Sequence, residues 1–172
     1  MLIHIKSDFV DPETLAHALY ALMPANRLVC RLCLCSGIRI GDAVALRTAE
    51  LKESFTIIEA KTGKKKRIKL PQPLLRELRE QAGEIYVFEH RTDPMKHRTR
   101  QAVYADLKRA AKAFRLDENL TPHTLRKMYA VSLYRSTGDL QKVRKALNHD
   151  NEAVTMLYAL ADMLSGKKKR HP

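Results

Sequence analysis

No stretch of this sequence approaches the roughly 20 apolar residues needed to cross a bilayer, which excludes an integral membrane protein. Cysteine is scarce: three residues, crowded at Cys30, Cys33 and Cys35. That odd number makes no disulfide framework and points to a reducing compartment. Aromatic residues are 6% of the chain, leaving few platforms on which unpaired bases could stack. The opening Met1-Leu-Ile-His-Ile-Lys-Ser-Asp8 breaks its apolar residues with charge and does not read as a secretory signal. No internal repeat and no linker is visible. Acidic residues are also short, with 19 Asp+Glu against 32 Lys+Arg and a net charge of +13. A surplus that large on a small domain suits a polyanionic partner, most commonly nucleic acid. What is abundant is apolar: 45% of 172 residues, enough for the core of one ordinary domain and too much for wholesale disorder. Composition predicts a soluble, cytoplasmic, basic, single-domain protein.

The apolar residues recur at helical spacing along most of the chain. Asp11-Pro12-Glu13 opens a helix, with Asp as N-cap and Pro at the first helical position, expected to run to about Met23 with Leu15, Leu19 and Leu22 inward. Pro24 ends it. Ala25 to Cys35 follows as a second helix stopped at Ser36-Gly37, and Asp42 to Arg47 as a short third. The pattern then changes to β-formers at Phe55–Ala60 and to alternation at Arg67–Leu70, around a Lys61-Thr-Gly-Lys-Lys-Lys66 turn. This is a β-hairpin with a basic tip. Pro73–Gln81 returns to helix, Ile85–Phe88 is expected to be a third strand, and His90–Arg98 a polar loop. Thr99–Phe114 is amphipathic, with Val103, Leu107, Ala110 and Phe114 inward. Thr121-Pro122 starts a helix that Gly138 stops. Asp139–Leu147 is a further helix, with Asn148 at a left-handed cap position. A last helix is expected from Asp150, with Val154, Leu157, Ala161 and Leu164 inward, then a disordered basic tail over 166–172. The expected architecture is mainly α with one small antiparallel sheet, a single domain over 1–165.

Two candidate sites fail on chemistry. The cysteines lie inside an apolar helix with no second pair at zinc spacing, and read as buried structural thiols. The turn at Gly63 lies between strands and lacks the closing Lys-Ser/Thr of a phosphate loop. His123-Thr-Leu-Arg126 places an imidazole and a guanidinium on one face of a helix's first turn, where backbone N–H groups favour an anion. Taken alone, the tetrapeptide reads better as a surface histidine beside a solvated arginine. Ser36-Gly-Ile-Arg39 ends a helix at glycine and is followed by Asp42, which can cap the next helix and orient the Arg39 guanidinium.

Together these stretches resemble the catalytic domain of the tyrosine recombinase (phage integrase) family. Ser36-Gly-Ile-Arg39 with Asp42 matches its first arginine box. Lys61-Thr-Gly, within a run that reaches Pro71, matches its hairpin-lysine turn. Thr121-Pro-His123-Thr-Leu-Arg126 matches its His-x-x-Arg box, and Leu147-Asn-His149, nine residues before Tyr158, matches its Leu-Gly-His box and nucleophile spacing. Helical periodicity alone would make Tyr158 a core residue; only the resemblance selects it among six tyrosines. Asn148 stands in place of the usual glycine, Asp42 in place of the commoner Glu, and Lys127 where a histidine often follows the box arginine.

The resemblance implies the recombinase catalytic-domain fold without an N-terminal core-binding domain. It also implies cofactor-free cleavage and rejoining of double-stranded DNA through a 3′-phosphotyrosine, with four copies assembled on DNA. Arg39, Lys61, His123, Arg126, His149 and Tyr158 would be the catalytic set, with Asp42 supporting. Lys64, Lys65, Lys66 and Arg67 are expected to be solvated or to touch the DNA backbone. A DNA-binding remnant without enzymatic activity is the alternative. An RNA-binding protein has only net charge in its favour, and a type IB topoisomerase would need a larger chain.

Overall fold

The computed structural model describes residues 10–116 and 119–148, so the expectations for the last helix, the basic tail, His149 and Tyr158 lie outside the described residues. Helix α1 (Pro12–Tyr20) is capped as expected, the Asp11 carboxylate accepting from Glu13 and Thr14 N–H at 3.1 Å. It stops before Met23. Pro24 then opens α2 (Pro24–Ser36), because its missing N–H costs nothing at the first helical position.

Helix α2 is the centre of the molecule, with Leu28, Val29, Cys30, Leu32 and Cys33 all buried. It packs against α6 (Pro122–Thr137), α3 (Ile40–Val44), α4 (Gln72–Gln81) and α5 (Arg100–Ala113). Cys30 and Cys33 therefore sit in the core while Cys35 is half-buried against it, and burial pushes the Cys33 thiol up to about 12. Cys30 is likewise raised, by burial first.

Strands β1 (Ser54–Ile58) and β2 (Lys65–Lys69) form an antiparallel hairpin with Phe55 opposite Ile68 and Ile57 opposite Lys66. The loop closes by Gly63 N–H donating to Glu59 O at 2.8 Å, with Gly63 at φ +65. The expected third strand at Ile85–Phe88 does not form. Thr48 N–H bonds Ile85 O and Val87 N–H bonds Leu46 O, but the chain winds into a 3-10 turn over Thr48–Glu50, so Arg47 and Tyr86 make one isolated bridge.

Phe114 corrects another expectation: it is 47% exposed. Helix α5 ends at Ala113, Arg115 takes φ +51, and Leu116 packs against the core instead. Helix α6 starts on a reciprocal Thr121–Thr124 capping box and stops at left-handed Gly138. Helix α7 (Leu140–Leu147) is capped by the Asp139 carboxylate and ends at Asn148, φ +55, as expected. Val143 and Leu147 pack it on Ala130 of α6. Among the described residues, no helix is long and apolar enough to cross a membrane.

Candidate active site

Arg39 reaches the site because α2 ends sharply. Gly37 has φ +65, and a Cβ there would lie 2.2 Å from the Tyr129 ring, so backbone conformation and space both demand glycine. Three residues before Tyr129 on α6, Arg126 donates to the Gly37 carbonyl and, at 2.6 Å, to Leu147 O. This guanidinium is 3% exposed and joins the ends of α2 and α7.

One cleft of about 680 Å³ is lined by Arg39, Lys61, His123 and Arg126, with Asp42, His97 and Arg100. Four of the expected catalytic residues, far apart in sequence, thus share one wall system. Lys61 is an exposed residue of the hairpin loop, and His123 lies exposed in the first turn of α6. Arg100 is the first residue of α5 and His97 the end of the preceding loop, its Nδ1 2.8 Å from Arg98 O. No motif marked either residue, since each lies on a wall formed only by the folded chain. Among the described residues, no group of three or more His, Cys, Asp or Glu gathers as a metal site.

Asp42 differs from expectation. Helix α3 begins at Ile40, so Asp42 lies inside its first turn and is not the cap. Its Oδ1 accepts the Ala60 N–H of the hairpin at 3.0 Å. Arg39 instead makes an ion pair with Glu59, 3.1 Å to Oε2, and the Glu59 side chain is fully buried. Burial alone would raise the Glu59 carboxyl, but the Thr62 hydroxyl at 2.9 Å and the Arg39 guanidinium outweigh it and hold the group below its ordinary value. Glu59 carried a legible signal: it continues the inward alternation of Phe55 and Ile57.

The same alternation overturns the expectation for Lys66. It shares the inner face with Ile68 and Leu70 and is 8% exposed, not a solvated lysine. Its Nζ donates to Ala146 O at 2.6 Å and lies over the Tyr129 ring. Burial, then the Arg126 charge, bring its ammonium down to about 8. Lys64, though exposed, donates to Asn148 O at 3.1 Å, and Arg67 Nε donates to Ser54 Oγ. Lys65 points outward. The last carbonyls of α7 thus meet Lys66, Arg126 and Lys64 in turn, the arrangement a helix C-terminus favours.

The fold belongs to a known class. Lambda integrase residues 75–356, solved as a dimer bound to a COC′ core site, superposes with a TM-score of 0.75 at 18% identity, over 95% of this chain and 62% of that one. The chain is a member of the phage integrase family, whose model matches residues 11–164. A probable integrase/recombinase of Bacillus subtilis (strain 168), YoeC, is 30% identical over 128 residues, 72% of this chain and 70% of the relative. A tyrosine recombinase of Thermosipho africanus is 28% identical over 162 residues, 88% of this chain and 56% of its own length. Of several recombinases and integrases that it matches, the chain spans about half to two-thirds of the length.

Proposed function

We propose that the chain is the catalytic unit of a tyrosine recombinase that binds double-stranded DNA and cleaves and rejoins its strands at specific sites. The observation that carries this reading is the convergence of Arg39, Lys61, His123 and Arg126 on one cleft. A phenol with a pKa of about 10 is a weak nucleophile at neutral pH, so the phosphate must be made electrophilic. Two guanidinium groups supply this by clamping non-bridging oxygens and stabilising the pentacovalent transition state.

In this reading the Tyr158 oxygen attacks phosphorus and forms a 3′-phosphotyrosine. His123 manages the phenol proton, Lys61 gives a proton to the departing 5′-oxygen, and His149 donates a hydrogen bond to the phosphate. The new ester conserves the energy of the broken one, so attack by another 5′-hydroxyl rejoins strands without ATP. Exchange between two duplexes would engage four copies on DNA.

The test is a pool of nicked duplexes with randomised core sequence, scored for protein–DNA adducts that survive detergent. The expected result is adducts with the wild-type chain and none with Tyr158→Phe, whose non-covalent affinity should stay close to wild type because the hydroxyl contributes little to holding the backbone. Arg126→Ala should lose adducts and affinity together, since a guanidinium holds phosphate in ground and transition states alike. Adducts that persist in Tyr158→Phe would move the nucleophile to another tyrosine. Binding without adducts from the wild-type chain would favour the non-enzymatic reading.

A further inference from the structure

The first arginine box offers Asp42 as the partner of Arg39, but the two carboxylates of this region are exchanged between elements. Glu59, on the hairpin, pairs with Arg39 at the start of α3, 3.1 Å away. Asp42, on α3, accepts the hairpin's Ala60 N–H at 3.0 Å. Each element thus contributes one carboxylate to the other, and Lys61 follows directly on the residue so held.

Stability does not explain Glu59. Its position is the inward strand face occupied by Phe55 and Ile57, where an apolar side chain would pack without desolvating charge. Its Oε1 is buried without a hydrogen-bond partner, as is Asp42 Oδ2, and a buried unsatisfied carboxylate oxygen is costly. Thr62 spends its hydroxyl on Glu59 Oε2 at 2.9 Å, which fixes the carboxylate's rotamer. What the arrangement achieves is geometric: it directs a guanidinium that lines the cleft and ties the loop bearing Lys61 to the same helix.

We propose that Glu59 is a positioning residue for Arg39 and that, with Asp42, it locks the hairpin to α3 so that Arg39 and Lys61 face one phosphate in fixed register. This rests on the recombinase reading above. Glu59 is fully buried and is not among the residues that line the cleft. It acts through Arg39.

The experiment uses the full chain with Glu59→Gln, and Thr62→Val as a milder variant that keeps the carboxylate but frees its rotamer. Three quantities are read: adduct formation rate on the nicked-duplex pool, non-covalent affinity for the same duplexes, and the ¹⁵Nε relaxation of Arg39, assigned by its loss in Arg39→Lys. Glu59→Gln should slow adduct formation on the order of 10- to 100-fold while leaving duplex affinity unchanged or tighter, because a negative charge has been removed from beneath cations. The Arg39 signal should become markedly more mobile, and Thr62→Val should fall between. A merely structural Glu59 would lower the melting temperature and leave rate, affinity and Arg39 order at wild-type values in the folded fraction, which overturns the proposal. If the wild-type chain gives no adducts, the recombinase reading fails, and Arg39 relaxation alone still decides whether Glu59 positions it. If Glu59→Gln does not fold, Thr62→Val decides, with unchanged Arg39 order counting against the role.

Discussion

At the scale of single residues, Lys66 is the most consequential departure from a surface reading. A lysine lowered from 10.5 to about 8 gives up its proton in the native state while the unfolded chain still holds one. Between about pH 8 and 10.5 the unfolded state therefore binds more protons, and stability rises with pH. Below about pH 8 the full cost of burying the charge is present. Denaturant melts of wild type and Lys66→Met across this window should diverge by roughly 3 kcal/mol, wild type gaining relative to the variant as pH increases. Parallel curves would mean that the amine is not desolvated as the structure has it. Both Lys66 and Glu59 could be read from strand alternation, since the hydrophobic positions at 55, 57, 68 and 70 fix which neighbours point inward. Their partners could not. Ala146 O and the Arg39 guanidinium reach them only through tertiary packing of distant segments.

At the scale of elements, the caps were the most readable features. Asp11, Thr121, Gly138 and Asn148 each start or stop a helix where side-chain chemistry requires it. The strand expected at Ile85–Phe88 failed because β-forming residues specify extended backbone but not a partner, and the neighbouring chain coils away after one rung. The terminus of α2 supplies an element-level prediction. Gly37→Ala combines a left-handed conformation with a Cβ 2.2 Å from Tyr129, and should cost about 2–4 kcal/mol in thermal unfolding. The loss should be larger than for Ala at Gly63, which has the same φ of +65 but open space around its Cβ. Equal losses at the two glycines would leave the conformation alone responsible and remove Tyr129 from the account.

At the scale of the whole molecule, the +13 charge should govern DNA binding more than any one contact. With roughly 5–8 phosphates neutralised, the logarithm of affinity should fall against the logarithm of salt with a slope of about −4 to −7. Fluorescence anisotropy on a duplex of arbitrary sequence, from low to moderate salt, measures it. A slope near zero would contradict the electrostatic reading.

The two-stranded sheet bears on behaviour in concentrated solution as well. Among the described residues β2 pairs with β1 alone, so apart from Lys65 O, which accepts from Asn148 Nδ2 at 3.4 Å, it keeps an outer margin of backbone amides and carbonyls that a second chain could zip onto, the usual route to edge-to-edge aggregation. Lys65, Arg67 and Lys69 all stand exposed along that strand, so two copies approaching by this margin would bring matching rows of cations together. Repulsion of that kind weakens as salt screens it. The salt that releases DNA therefore also lowers the barrier to self-adhesion, and colloidal stability and nucleic-acid release pull the working ionic strength in opposite directions.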